Sequence, residues 1–184
     1  MDPVDAYLAG LRKLRRKFKS GQLARCVTRQ AVERKTPPDF LFAAKRAGRY
    51  NPEGVECLYW AEDENTARLE YRRYNTGAAT YETFFCHYEC GVLDLGNPNV
   101  LAALGIEEVN LYANWRTAPE LTKTQLLGLA VSLQQRFAAI RFPSDAARSE
   151  GDEGFNLVVF RNSLRDPSWI EVVTDPGLPQ QRWP

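Results

Sequence analysis

Hydrophobic positions along the chain recur with two periods, and the changes between them mark a succession of helices and strands. From residue 4 to 19, Tyr7, Leu8, Leu11, Leu14 and Phe18 fall at helical spacing. The opposite face carries Arg12, Lys13, Arg15, Arg16, Lys17 and Lys19. This predicts a basic amphipathic helix within residues 1–20. LARCVT (23–28) reads as a short strand, followed by a loop containing Pro37 and Pro38. AGRYNPEG (47–54) is dense in turn formers. VECLYW (55–60) reads as a strand, DENTARLEYRRY (63–74) as a helix and YETFFCHYE (81–89) as a strand.

In the second half, NPNVLAALGI (97–106) predicts a short helix capped by Asn97 or Asn99. TKTQLLGLAVSLQQRF (122–137) predicts a longer one. Thr122 and Gln125 stand at capping-box spacing, and Leu126, Leu129, Ala130, Leu133 and Phe137 form the expected apolar stripe. AAIRF (138–142) and FNLVVF (155–160) read as buried strands joined by a polar loop, SDAARSEGDEG. IEVV (170–173) reads as a last strand before a turn-rich tail, PGLPQQRWP. Strands and helices mix without steady βαβ alternation, and no repeat or boundary divides residues 1–184. The expected class is α+β, a single domain of mixed and antiparallel sheet with flanking helices.

Composition narrows the function classes. A net charge of +1 over 184 residues gives no overall field toward nucleic acid or membrane. No apolar run reaches the roughly 18–20 residues that span a bilayer, and the N-terminus has its charges in the wrong order for a secretory signal. The expectation is a soluble, cytoplasmic protein. Of Cys26, Cys57, Cys86 and Cys90, only CHYEC (86–90) suggests a metal cluster. On a strand, Cys86 and Cys90 share a face about 13 Å apart while His87 points the other way. That spacing suits reduced thiols rather than a metal site.

Four residues are less readily absorbed by local structure. Ala67, Glu70, Tyr71 and Tyr74 share one helix face, so Glu70 faces inward among small and aromatic neighbours. A carboxylate there needs a partner or a task. The plain alternative is an ion pair with Arg68, Arg72 or Arg73. Tyr59 alternates with Val55 and Cys57 on its strand, Arg49 lies in the preceding turn, and Ser144 follows Pro143 at a strand end. As plain alternatives these are a core tyrosine, a surface arginine and a turn or cap residue.

In order along the chain, these segments resemble the RES-domain family. The resemblance is carried by Gly48, Arg49, Tyr50, Asn51, Pro52 and Gly54, then Leu58 and Tyr59, then Ala67 and Glu70. VLDLGNPNVLAALGI (92–106), NWR (114–116), RFPS (141–144) and NLVVF (156–160) follow in the expected order. The resemblance covers about residues 20–175. The Arg, Glu and Ser that name the family would be Arg25 or Arg49, Glu70 and Ser144, with LAR (23–25) the favoured match for the arginine. Ala47, Ala24 and Asp145 depart from the family's usual residues.

The resemblance implies an ADP-ribosyltransferase-like fold with a cleft between sheets, and a toxin-like enzyme that breaks down NAD. It implies cleavage of the nicotinamide–ribose bond with phosphate or water as acceptor, so an NAD phosphorylase or glycohydrolase. NAD would be substrate, inorganic phosphate a co-substrate, and no cofactor or metal is expected. Glu70, Arg49 and Tyr59 would be catalytic, with Arg25, Tyr50 and Ser144 binding substrate. Glu70 would stabilise positive charge on the ribose. The arginines would grip pyrophosphate, Tyr59 would stack on nicotinamide, and Ser144 would bond ribose or phosphate. The implied partner is an Xre-type antitoxin forming a hetero-oligomer, with nucleic acid reached only through it and no membrane. Two other readings use the same residues differently: ADP-ribosyl transfer to a protein or nucleotide, and a non-catalytic partner-binding module working through residues 4–19.

Overall fold

The computed structural model describes residues 2–34, 43–44, 46–75, 77, 80–173 and 181–183. The loop with Pro37 and Pro38, and the tail up to Gln180, lie outside the described residues. Among those described, eight strands form one sheet, flanked by helices in an α+β arrangement. The strands are β1 (Lys17–Thr28), β2 (Ala43–Ala44), β3 (Cys57–Ala61), β4 (Tyr81–Asp94), β5 (Ala139–Pro143), β6 (Phe155–Phe160), β7 (Trp169–Val173) and β8 (Gln181–Trp183). The helices are α1 (Pro3–Lys13), α2 (Arg29–Glu33), α3 (Glu64–Tyr74), α4 (Pro98–Leu104), α5 (Glu108–Leu111), α6 (Lys123–Gln134) and α7 (Asp145–Ser149).

The pairings return on themselves. β1 lies against β3, β3 against β6, β6 against β5, β5 against β4, and β4 against β1. Only β4–β5 is parallel within this ring. Alternation along β6 divides the core in two. Leu157 and Val159 join Leu23, Trp60, Cys86 and Val172 on one side. Val158 and Phe160 join Leu11, Leu127 and Val131 under α1 and α6 on the other.

Three expectations need correction. The N-terminal helix ends at Lys13, with Leu14 already extended. Residues 17–28 instead pair along their whole length with 81–92. Helical spacing continued past the true end because Phe18 happens to fall in phase, and the ladder to β4 overrides that local pattern. In α6 the buried positions are Thr124, Gln125, Leu127, Gly128, Ala130, Val131 and Ser132, while Leu133 is 58% exposed. The buried face is rotated from the expected stripe because the helix turns its small and hydrogen-bonding residues, Thr124, Gln125, Gly128 and Ser132, toward the core. The capping box at Thr122 and Gln125 is present. The segment after β5 is not simply a loop, since Ser144 caps the short helix α7.

Gly128 lies against the turn at residues 48–51. A Cβ at this position would stand 1.6 Å from the Tyr50 carbonyl oxygen and 2.7 Å from its carbon. Across the sheet, Arg141 forms a forked pair with Glu62 (2.7 and 2.9 Å) and reaches Asp94 at 3.1 Å. Lys19 holds the other Asp94 oxygen at 2.8 Å. Burial alone would raise the Asp94 pKa, but Lys19 and Arg141 outweigh it and hold the carboxyl below its usual range. Among the described residues no helix is long and apolar enough to cross a membrane.

Gly128→Ala should lower the unfolding free energy by about 3 kcal/mol, because backbone and not a flexible side chain must move. Chemical denaturation measures this. The Asp94 contribution is present above its unfolded pKa of about 4 and is lost as pH falls through the lower folded value. Stability should therefore decline below about pH 4, and Asp94→Asn should flatten that part of a urea-midpoint profile against pH.

Candidate active site

A cavity of about 380 Å³ opens between α3, the 48–51 turn, β1, β3 and the start of α7. Its wall includes Arg25, Arg49, Tyr59, Glu70, Trp115 and Asn156.

The turn that carries Arg49 is fixed from within. Asn51, 1% exposed, donates from Nδ2 to the carbonyls of Arg46 (2.8 Å), Val55 (3.0 Å) and Pro52 (3.3 Å). Its Oδ1 accepts the Tyr59 hydroxyl at 2.8 Å, and that hydroxyl accepts the Tyr50 N–H at 3.0 Å. A Cβ on Gly48 would meet Asn51 Oδ1 at 2.5 Å and the Tyr59 oxygen at 2.8 Å. From α6, Gln125 Nε2 donates to the Gly48 carbonyl at 3.0 Å. The Gly-Arg-Tyr-Asn-Pro turn and the tyrosine further on are therefore one unit. Tyr59 commits its hydroxyl to the turn and is itself one of the cavity-lining residues.

Arg49 is anchored by Nη1 to the carbonyls of Leu111 (2.8 Å) and Ala113 (3.1 Å), and its Nη2 faces Asp145 at 3.8 Å. It is a cavity residue, its side chain 16% exposed, rather than a surface arginine. Asp145 also accepts Arg73 (2.7 Å) and Arg148 (3.1 Å). Arg25 donates from Nη1 to the Tyr59 carbonyl at 3.1 Å. Burial pushes its guanidinium down to about 10, so it stays charged at neutral pH.

Glu70 projects from the middle of α3, a helix started by Asp63, whose side chain accepts the Thr66 N–H at 2.8 Å. One carboxylate oxygen, Oε1, accepts both Ser144 Oγ and Asn156 Nδ2 at 2.7 Å. None of the arginines near it in sequence is its partner. Arg68 goes to Asn65 and Arg73 to Asp145. Among the described residues no cation pairs with Glu70, so its charge is held in place by two neutral donors.

Two residues expected to contact substrate, Tyr50 and Ser144, are buried. Tyr50 is wholly buried and stacks on Phe142 with ring centroids 4.2 Å apart, and burial raises its hydroxyl pKa. Its backbone, not its side chain, serves the site. Ser144 is 1% exposed and behind the wall, with its hydroxyl donating to Glu70 and accepting the Ala147 N–H at 3.1 Å. Its hydroxyl is thereby committed to the Glu70 carboxylate and to the first turn of α7.

Residues not singled out from the sequence complete the site. Asn156 opens a strand that is otherwise apolar, and a polar side chain in such a run was the available signal. Trp115 and Arg116 come from the NWR segment, and no period marks them. Among the described residues no group of His, Cys, Asp or Glu could hold a metal ion. Cys86 and Cys90 are buried, and His87 is exposed.

The family model described as RES domain matches residues 22–181. No curated protein matches the chain.

Ser144→Ala removes the cap of α7 and one of the two hydrogen bonds to Glu70. It should lower the unfolding free energy by about 1–2 kcal/mol, measured by urea denaturation.

Proposed function

The chain belongs to the RES domain family, and from that premise we propose that it cleaves the nicotinamide–ribose bond of NAD, with phosphate or water as acceptor. The observation that carries this reading is Glu70, a carboxylate at the cavity wall, fixed by two neutral donors and unpaired with any cation among the described residues. Breaking that bond develops positive charge on the ribose. A fixed carboxylate stabilises such charge with no reorganisation at the moment of reaction. A salt-bridged carboxylate would have much of its field cancelled.

The cations suit the rest of the molecule. Arg25 and Arg49 both line the cavity, each with its guanidinium anchored to backbone carbonyl oxygen. Prealigned forks of this kind bind phosphate oxygens with little entropic loss. Tyr59 lines the same cavity, and its ring would offer a flat face to nicotinamide. An Xre-type antitoxin that covers the cleft and holds the enzyme silent belongs to the same proposal.

Glu70→Gln keeps an Oε1 acceptor for Ser144 and Asn156, so the fold should persist. Consumption of NAD should fall by about 100-fold or more, followed by mass spectrometry with and without phosphate. Loss that needs phosphate identifies a phosphorylase, and ADP-ribose formed without it identifies a glycohydrolase. A Glu70→Gln protein as active as the parent would overturn the assignment. A mass increase on a partner protein would replace it by ADP-ribosyl transfer.

A further inference from the structure

Three planar side chains are layered where they line the cavity. The Arg116 guanidinium lies 4.6 Å from the Tyr74 ring centroid and 4.9 Å from that of Trp115. All three line the same cavity as Glu70. Tyr74 is the last residue of α3 and is 49% exposed, Arg116 is exposed and Trp115 half-buried. The core does not require them. Tyr74 and Trp115 belong to none of the buried clusters.

Their placement relative to Glu70 is set by helix geometry. Tyr74 follows Glu70 by four residues, so it lies on the same face about 6 Å further along the axis. A ligand whose reacting sugar sits at Glu70 would extend along this face toward Tyr74. Aromatic rings and arginine planes layered together are a surface for a flat, electron-rich base, which stacks on them with little dependence on hydrogen bonding. A dinucleotide has two bases, and only one can sit beside Glu70.

We infer that Tyr74, Arg116 and Trp115 form a stacking platform for the second base of the substrate, an adenine. This rests on the reading that NAD is consumed at Glu70. The platform would set the preference for a dinucleotide over a mononucleotide and take no part in bond cleavage.

The test uses AMP as probe and ribose 5-phosphate as its base-free control, with binding to the full chain measured by calorimetry. The wild-type protein should bind AMP at least about tenfold more tightly than ribose 5-phosphate, and Tyr74→Ala should weaken AMP by about tenfold while leaving the control unchanged. Both Tyr74→Ala and Arg116→Ala replace exposed side chains, so folding is not at stake. In turnover, Tyr74→Ala should raise KM for NAD and leave KM for nicotinamide mononucleotide, which lacks the adenosine, as it was. Absent AMP binding, equal binding of AMP and the control, or AMP affinity unaffected by Tyr74→Ala would overturn the platform. AMP binding that depends on Tyr74 in a protein that consumes no NAD would overturn the proposed reaction and leave the platform standing.

Discussion

The geometry of the site depends on one short chain of hydrogen bonds, from the Tyr50 N–H to the Tyr59 hydroxyl and on to Asn51 Oδ1. It joins a turn to a strand at a place where neither is regular enough to hold the other. Every donor on Asn51 is taken up by a carbonyl of the same turn. A buried polar group so satisfied rigidifies its surroundings, whereas one left unpaired would loosen them. Arg49 inherits its direction from this arrangement. So does the contact with α6, where the Tyr50 carbonyl occupies the space that a side chain on Gly128 would fill.

The carboxylates of the chain divide by what neutralises them. Glu62 and Asp94 share Arg141, and Asp145 faces Arg49, Arg73 and Arg148. These hold strands and helices in register. Of the two carboxylates that line the cavity among the described residues, Asp145 is met by arginines, whereas the partners of Glu70, Ser144 and Asn156, are neutral. They orient one oxygen and leave the charge whole. Two polar residues that look like ordinary cap and strand positions thus hold a cavity carboxylate without neutralising it.

Much of this was legible in the sequence. Helix periodicity placed Glu70 on the inward face of α3, and the spacing from Gly48 to Tyr59 held a turn and a strand that the structure joins directly. Local pattern failed where a distant segment decided the outcome. Phe18 kept helical phase, yet its residues pair with β4 more than sixty positions away. The stripe of α6 differs from the apolar pattern because the side that meets the core carries Thr124, Gln125, Gly128 and Ser132, while Leu133 faces out. Tyr50 and Ser144 are fully buried, which spacing does not report. Asn156 and Trp115 needed the third dimension, since their relation to Glu70 is not local.

The two partners of Glu70 lie 74 and 86 residues downstream of it, and a chain is made from its N-terminus onward. During synthesis α3 emerges long before β5, α7 and β6. Until those last segments have left the ribosome and closed the ring of strands, the carboxylate has nothing to orient it. The order of assembly therefore acts as a delay, and in a growing or truncated chain the Glu70 carboxylate stays unoriented until the final quarter is in place.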